Sequence, residues 1–514
     1  MSPVPQASET PRVVPDVPKS TTLRHLGRDS ALYGIGTLSQ RAAQLLLIPL
    51  YTTVLSTAEY GTYETLVAMV QTLSILVNFG LSNSLLRFYS ECRDESEVDK
   101  MIRTSSLLVL VLSSASFVVL LPFTRGLAVA LFQEAALARF ILLAVLWSIG
   151  SALNQQLFAY YRAKQAATRY VAVSLGILAG LLILNVTLVR FMGLGLTGIL
   201  VGYLFVYWSV NVWLVLKFWR YSHTVSLSWA RQLLSFGSPL ILSMLGWFVL
   251  NSSDRYFLAY YRDLSEVGLY GLGYKIGLLL QMVVIAPFQL AWGPYVFARF
   301  AADGDASTRG EYARVFTYLM IALSLLGTAI FLFAPELVRL FGSGKFDAAV
   351  AVVPYVLVAC VFKGIFYWSA SMFHLAKRTL ELGVIVLGMA GLNLLLNYLW
   401  IPRLGWIGAA TSTVVTIGGT GLLTLMIGQR FYRVPMHRKC LAKVMLATGV
   451  VVTISVLVHA AVGPLNWGLR TLLLLFLPFL LLLLRVLQPS EVRFLLALPT
   501  EVRSRVFHLE KKTR

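Results

Sequence analysis

The sequence predicts an all-α, polytopic membrane protein with about 14 transmembrane helices. Of its 514 residues, 58% are hydrophobic and only 13% are charged, whereas a soluble domain carries about 25% charged residues. The mean hydropathy is +0.75. Apolar stretches long enough to cross about 30 Å of hydrocarbon follow one another, separated by short polar connections. Most of the chain is therefore expected to face lipid or other apolar helices.

Fourteen apolar stretches account for the predicted helices. The connections between them are mostly under about 20 residues, too short to fold as separate domains. Any function is therefore expected to lie among the helices. The stretches cover roughly residues 31–54, 62–88, 104–122, 138–160, 170–190, 194–217, 237–258, 266–295, 312–333, 349–373, 379–400, 405–427, 441–462 and 467–487.

The distribution of basic residues predicts the orientation in the membrane. The even-numbered connections and both tails carry about 31 of the 43 Lys and Arg residues, and the odd-numbered connections carry about 9. Since cytoplasmic loops hold the excess of positive charge, both termini are expected in the cytoplasm. The protein itself is expected in a bacterial inner membrane. Membrane topology thus explains the net charge of +20, and the scattered basic groups do not favour nucleic-acid binding.

Internal similarity predicts that six helices have been duplicated. Glu59 to Tyr63 and Glu266 to Tyr270 share the pattern Glu-x-Gly-x-Tyr, about 207 positions apart. Ala163-Lys164 recurs as Ala376-Lys377 at a similar offset, and further matches keep their order. Because six is even, both repeats enter the membrane in the same direction and form two pseudo-symmetric lobes. The predicted boundaries are a disordered cytoplasmic tail at 1–25, an N-lobe at 26–218, a cytoplasmic linker at 219–236, a C-lobe at 237–428, two added helices at 429–487 and a basic cytoplasmic tail at 488–514.

Cationic side chains within the apolar stretches predict a polar cavity, because a charge inside the bilayer is costly unless it faces protein or water. Arg41, Lys275 and Lys363 are the clear cases. Arg87 and Arg255 lie near helix ends, where snorkelling to the interface is an equally good explanation. Guanidinium and ammonium groups bind phosphates well. These five cations are therefore the predicted binding residues for an anionic ligand carrying phosphate or pyrophosphate.

Uncharged polar and acidic side chains at helical spacing extend the predicted cavity. Asp254 can also pair with the adjacent Arg255, and Asp254 and Glu64 are either structural partners or binding groups for a proton or Na⁺. The residues predicted to line the cavity are Gln44, Gln71, Asn78, Asn251, Asp254, Tyr274, Gln289 and Tyr367.

Neither a catalytic nor a metal site is predicted. Cys92, Cys360 and Cys440 lie in different segments without metal-ligand spacing. The sequence has no Ser/His/Asp set and no phosphate-binding loop that follows a strand. We expect a transporter without a resident cofactor, coupled to H⁺ or Na⁺ if it is ion-driven.

Several segments give the chain a resemblance to a known family, over about residues 25 to 485. The clearest are Leu47-Ile-Pro-Leu-Tyr51, Gly237-Ser-Pro-Leu240, Asn251-Ser-Ser-Asp-Arg-Tyr256 and Ala291-Trp-Gly-Pro294. With these motifs the sequence resembles the polysaccharide flippases of the Wzx type. Those flippases belong to the multidrug/oligosaccharidyl-lipid/polysaccharide exporter superfamily.

The resemblance implies a V-shaped transporter with two lobes that works by alternating access. Its implied substrate is an undecaprenyl-pyrophosphate-linked oligosaccharide, the repeat unit of O-antigen, lipopolysaccharide or exopolysaccharide, and a polymerase or ligase is an implied partner. Cavity cations are thought to receive the pyrophosphate and sugar in this family. Here that role would fall on Arg41 and Arg255, and then on Arg87, Lys275 and Lys363.

Alternative functions remain open at this level. A lipid II flippase would share the cationic cavity and the fourteen helices. A drug/cation antiporter of the same superfamily would usually have twelve helices and an acidic residue in the first one, where this chain has Arg41. A membrane polymerase or ligase would need a large outer loop, and a scaffold would not need Arg41 or Lys363 within the bilayer.

Overall fold

The computed structural model describes residues 33–486 except 35, 38, 41–43, 93, 222–224 and 464. The part described is almost entirely helical and contains no strand, which confirms the predicted all-α class. The helices are α1 Gln44–Val54, and then α2 Thr57–Asn78, α3 Leu81–Phe88, α4 Glu95–Leu120, α5 Thr124–Phe132, α6 Ala138–Ala163, α7 Ala167–Asn185, α8 Gly195–Tyr221, α9 Leu227–Ser252, α10 Asp254–Tyr261, α11 Leu264–Gly277, α12 Ala286–Leu332, α13 Ala334–Gly342, α14 Val353–Leu375, α15 Thr379–Leu404, α16 Trp406–Phe431, α17 Arg438–Val462 and α18 Trp467–Leu483.

The membrane spans match the predicted apolar stretches one by one. Among the described residues, 11 helices are long and apolar enough to cross a membrane, or 12 if the bent pair α2 and α3 is one span. The first and last predicted spans correspond to the shorter apolar helices Gln44–Val54 and Trp467–Leu483. A polytopic membrane protein is therefore confirmed, and the count of fourteen is approximate. The predicted tails at 1–25 and 488–514 lie outside the described residues.

The second span is bent by 44° between α2 and α3. Phe79 and Gly80 adopt left-handed φ angles of 49° and 71° at the break. The side chain of Asn78 bonds to Ser82 twice, donating to its hydroxyl at 2.8 Å and accepting from its N–H at 3.2 Å. A Cβ at Gly80 would lie 2.8 Å from the Cα of Gly237, so the bend also depends on close backbone packing against α9.

Two antiparallel membrane segments make up α12. Residues sixteen apart in a straight helix are about 24 Å apart, yet the Tyr295 hydroxyl donates to Glu311 at 2.7 Å. The rings of Trp292 and Tyr312 also meet edge to face at 4.8 Å. The chain therefore reverses direction between residues 299 and 309, where the sequence predicts an even-numbered connection.

The chain divides into two compact units. The first comprises Met1–Leu272, Arg339–Ala349 and Gly383–Thr416, and the second comprises Gly273–Val338, Val350–Leu382 and Ile417–Arg514. The first unit has an apolar core that includes Leu81, Leu85 and Met101. The second unit has a core that includes Val451 and Leu477 from the last two helices.

Local geometry supports the predicted duplication. Ser56 caps α2 by accepting from the Glu59 N–H at 3.1 Å. One repeat later, Asp263 accepts from the Glu266 N–H at 2.8 Å at the start of α11. Left-handed residues also recur at matching positions, in the pairs Gln133 and Ser343, Gln165 and Lys377, and Gly193 and Gly405.

Odd-numbered connections from both repeats meet within the first unit. The Thr52 hydroxyl donates to the Phe341 carbonyl at 2.6 Å, and the Thr57 hydroxyl donates to that of Ser265 at 3.0 Å. In addition, α5 packs against α10. This arrangement requires that consecutive spans alternate in direction, as the sequence predicts. We call this part of the first unit the odd-numbered end.

Candidate functional site

The predicted cavity residues of the first two spans have different surroundings. Arg41 lies outside the described residues. Gln44 at the start of α1 is exposed, and so is Gln71 in α2. The Gln71 side-chain oxygen Oε1 accepts from the Ser252 hydroxyl at 3.2 Å. Asn78, by contrast, is only 1% exposed and bonds to Ser82 at the bend.

Arg87 lies on the surface at the end of α3. Its guanidinium pairs with Glu91 one turn later, and the two side chains are 53% and 44% exposed. The guanidinium also lies 5.7 Å from the ring centre of Phe88. Such an exposed pair is readily broken, because water screens it. Arg87 is therefore held in an exposed ion pair and not in a buried cavity in this structure.

A buried charge cluster forms around Arg255, at the start of α10. The guanidinium Nη1 lies 2.8 Å from Asp254 Oδ1, and Nε lies 4.0 Å from Glu64 Oε2. Nη1 also donates to the Asn251 carbonyl at 2.9 Å. Arg255 is 7% exposed, and Asp254 and Glu64 are each 2% exposed. The structure thus brings together three residues predicted for the cavity, Asn251, Asp254 and Arg255, and adds Glu64 from α2.

Tyrosine hydroxyls complete this cluster. Tyr270 donates to Asp254, and Tyr60 lies one helical turn before Glu64 on α2 and interacts with its carboxylate. Both tyrosines are fully buried. The cluster therefore places two buried carboxylates, those of Glu64 and Asp254, beside the single guanidinium of Arg255.

The predicted residues of the second unit lie along α11, α12 and α14. Lys363 is 3% exposed, and its ammonium group donates to the Gln281 side-chain oxygen at 3.0 Å. Gln281 begins a π-helical turn, Gln281–Ile285, and such turns are frequent at functional sites. Lys275 is half-buried and Gln289 is exposed.

Two predicted tyrosines are embedded among these helices. Tyr274 in α11 is 3% exposed. Tyr367 in α14 is half-buried, and its ring meets that of Phe366 at 5.3 Å. Both lie in the second unit: Tyr274 directly precedes Lys275 in sequence, and Tyr367 lies one helical turn after Lys363.

Sequence reasoning missed a buried hydrogen-bond network in the first unit. The Asn397 amide donates to Asn393 at 3.0 Å, and the Ser253 hydroxyl donates to the same Asn393 oxygen at 3.1 Å. Asn393 in turn donates to Thr416 at 3.0 Å, and Ser412 donates to Asn397. All five side chains are at most 3% exposed. The match of Asn397 with Asn185 in the repeat was the available signal, since Asn185 also bonds across helices, to Tyr51 at 3.0 Å.

Comparison with known proteins adds a family and a fold. A family model described as polysaccharide biosynthesis protein matches residues 26–301. No curated protein sequence matches the chain. A structure of the lipid II flippase MurJ in an inward closed conformation shares 15% identity, with a TM-score of 0.67, and the match covers 88% of this chain and 98% of that one.

Two further structures are transporters of the MOP superfamily. An inward-facing multidrug resistance MATE transporter shares 15% identity with a TM-score of 0.59, covering 78% of this chain and 94% of that one. A transporter from Pyrococcus furiosus, described by the reverse polarity of its binding pocket, shares 16% identity with a TM-score of 0.57, covering 79% and 95%. At these identities the likeness establishes the fold.

Proposed function

Because the chain belongs to the polysaccharide biosynthesis protein family, we propose that it is a flippase for lipid-linked oligosaccharides. Its substrate would be an undecaprenyl-pyrophosphate-linked repeat unit, moved across the inner membrane by alternating access. The family match over residues 26–301 carries this proposal. The transporter fold supports it, as do the short connections between the described apolar helices, which provide no place for an enzyme domain.

The predicted cations have separate roles in this proposal. Arg41 and Arg87 from the first repeat, and Lys275 and Lys363 from the second, would receive the pyrophosphate, whose charge suits guanidinium and ammonium groups. Arg255 is bound to Asp254 and Glu64 in this conformation. It would reach substrate only after that cluster rearranges.

The buried charge cluster is our candidate for ion coupling. Glu64 and Asp254 lie beside one guanidinium, and these two carboxylates are the groups that would bind a proton or Na⁺ during transport. Measuring the uptake of each ion into vesicles by wild-type protein and by Glu64→Gln tests this role. Equal uptake by both proteins would contradict it.

Complementation tests the flippase proposal. In a strain that lacks its own repeat-unit flippase, the wild-type chain should restore surface polysaccharide. Arg41→Ala and Lys363→Ala should insert normally but leave lipid-linked repeat units in the inner leaflet, and Arg41→Lys should retain partial function. Arg339→Ala is the matched control, because Arg339 is 71% exposed in an odd-numbered connection. Wild-type polysaccharide levels in both of the first two variants would contradict the cationic cavity.

A lipid II flippase is the second candidate, favoured by the match that covers 98% of the MurJ chain. Rescue of a strain depleted of its lipid II flippase, without rescue of polysaccharide export, would favour it. Genes for glycosyltransferases and a polymerase next to this one would favour the repeat-unit substrate and a polymerase or ligase partner.

The proposed orientation places both termini in the cytoplasm. The excess of Lys and Arg in the even-numbered connections supports it. Reporter fusions at the C-terminus should be active only as cytoplasmic reporters. Activity of a periplasmic reporter at that position would reverse the assignment.

A further inference from the structure

We propose that Gly61 and Gly268 form a latch that closes the odd-numbered end during the transport cycle. The glycine latch is defined here as the contact between residues 57–61 at the start of α2 and residues 264–268 at the start of α11. This inference rests on alternating access, but it does not depend on the identity of the substrate.

The contact joins backbone to backbone without intervening side chains. A Cβ at Gly61 would overlap the carbonyl oxygen of Leu264 and lie 3.0 Å from the Gly268 nitrogen. A Cβ at Gly268 would overlap the carbonyl oxygen of Thr57 and lie 3.1 Å from the Gly61 nitrogen. Only glycine permits this approach, because a backbone oxygen cannot move aside as a flexible side chain can.

The latch is symmetric with respect to the internal repeat. Thr57 and Leu264 are equivalent in the Glu-x-Gly-x-Tyr alignment, and so are Gly61 and Gly268. Gly61 meets the carbonyl of Leu264, and its equivalent Gly268 meets the carbonyl of Thr57. A pseudo-twofold axis through the contact requires this exchange, because it converts one of the two contacts into the other. Such a contact is isologous, with the same small patch on both repeats.

The same axis continues one turn further along the helices. Glu64 and Gly271 are repeat equivalents, and a Cβ at Gly271 would lie 3.0 Å from the Glu64 carboxyl carbon. On an axis where two equivalent positions touch, both cannot carry a long side chain. Glycine on one side makes room for the glutamate that pairs with Arg255. The latch and the buried charge cluster are thus successive layers of one contact between repeats.

This construction suits a contact that must form and break. Two smooth backbone surfaces separate without changing the rotamers of interdigitated side chains, whereas packed knobs and holes have to be pulled apart. The outer rim is held by the hydrogen bond between Thr57 and Ser265. Closing thus requires close approach of the glycines, and opening must break this bond together with the bond from Thr52 to the Phe341 carbonyl at the same end.

Cysteine cross-linking in the full-length chain tests the latch. In a background with Cys92, Cys360 and Cys440 replaced by Ser, the pair Thr57→Cys and Ser265→Cys should form a disulfide on oxidation, because their hydroxyls lie 3.0 Å apart. A protease site between α8 and α9 reports it, since cleaved fragments stay joined only when cross-linked. Oxidation should stop polysaccharide export, and a reductant should restore it.

A second arm of the cross-linking experiment adds a methyl group at each glycine of the latch. Gly61→Ala and Gly268→Ala should each slow cross-linking about tenfold, since disulfide geometry tolerates little separation. Gly126→Ala is the matched control, because Gly126 is helical, lies in an odd-numbered connection and has open space around its Cβ position. It should cross-link at the parental rate.

Either of two results would overturn the proposal. One is cross-linking at the parental rate in both latch variants. The other is unimpaired export by the fully oxidised cysteine pair, which remains decisive even if the alanine variants fail to accumulate. Because cross-linking needs no substrate, it can succeed where polysaccharide complementation fails, so failure of the latch and failure of the proposed function are distinguishable.

Discussion

Replacing Arg255 by Gln should destabilise the protein far more than the same change at Arg87. In the buried cluster, Arg255 compensates Asp254 at 2.8 Å and Glu64 at 4.0 Å. At an effective dielectric constant of about 20, two unit charges about 4 Å apart attract by about 4 kcal/mol. Arg255→Gln would remove the guanidinium that both buried carboxylates approach, and removing one partner of a buried pair costs about 3–5 kcal/mol.

Arg87 provides the matched comparison because it is the same residue type paired with a carboxylate, but on the surface. An exposed pair spaced one helical turn apart is worth about 0.3–0.5 kcal/mol. We therefore expect the free energy of unfolding to fall about tenfold more for Arg255→Gln than for Arg87→Gln. Adding Glu64→Gln to Arg255→Gln should recover part of the loss, since it removes one uncompensated charge.

Equilibrium unfolding of the purified variants in mixed detergent micelles measures these differences. Losses for Arg255→Gln and Arg87→Gln that agree within about 1 kcal/mol would refute the reasoning, because the burial of Arg255 would then have no energetic consequence. A double variant no more stable than Arg255→Gln alone would show that Glu64 does not face the guanidinium.

Three further predictions concern residues outside the proposed substrate site. Burial and acidic neighbours raise the pKa of the Cys92 thiol to about 11. At pH 8, maleimide should therefore label Cys92 about 100-fold more slowly in the folded protein than in SDS. Equal labelling rates would contradict the burial of this thiol. Asn397→Ala should lower the free energy of unfolding by about 1–3 kcal/mol, because Asn393 and Ser412 lose a buried partner; Asn466→Ala, at an exposed cap, serves as its control. Arg470→Met should cost about 2 kcal/mol by leaving Glu336 without its partner, and Glu336→Gln in the same chain should restore stability; additive losses would disprove the pair.

The helical membrane fold could be predicted from the sequence alone. A long run of apolar residues identifies a membrane-spanning helix without any information about tertiary contacts. The sequence was less informative where a helix bends or reverses. The break at Phe79 and Gly80 lies inside one apolar stretch, where the sequence offers only the glycine itself as a signal. The structure shows the reason for the bend, namely the close packing of Gly80 on Gly237.

The charge cluster was only partly predictable. Adjacent residues suggested the pair of Asp254 and Arg255, but the approach of Glu64 depends on contact between segments about 190 positions apart in sequence. The repeat alignment contained the missing information, because it makes Glu64 equivalent to Gly271. A glutamate matched with a glycine across a twofold axis indicates that the glutamate occupies the shared space.

The pairing of Arg470 with Glu336 has a consequence for biogenesis. Arg470 is 6% exposed near the start of α18, and its carboxylate partner belongs to α13, more than a hundred residues earlier in synthesis. The final helix therefore carries into the bilayer a charge whose counter-ion has already been inserted. Until translation reaches α18, Glu336 lacks this partner.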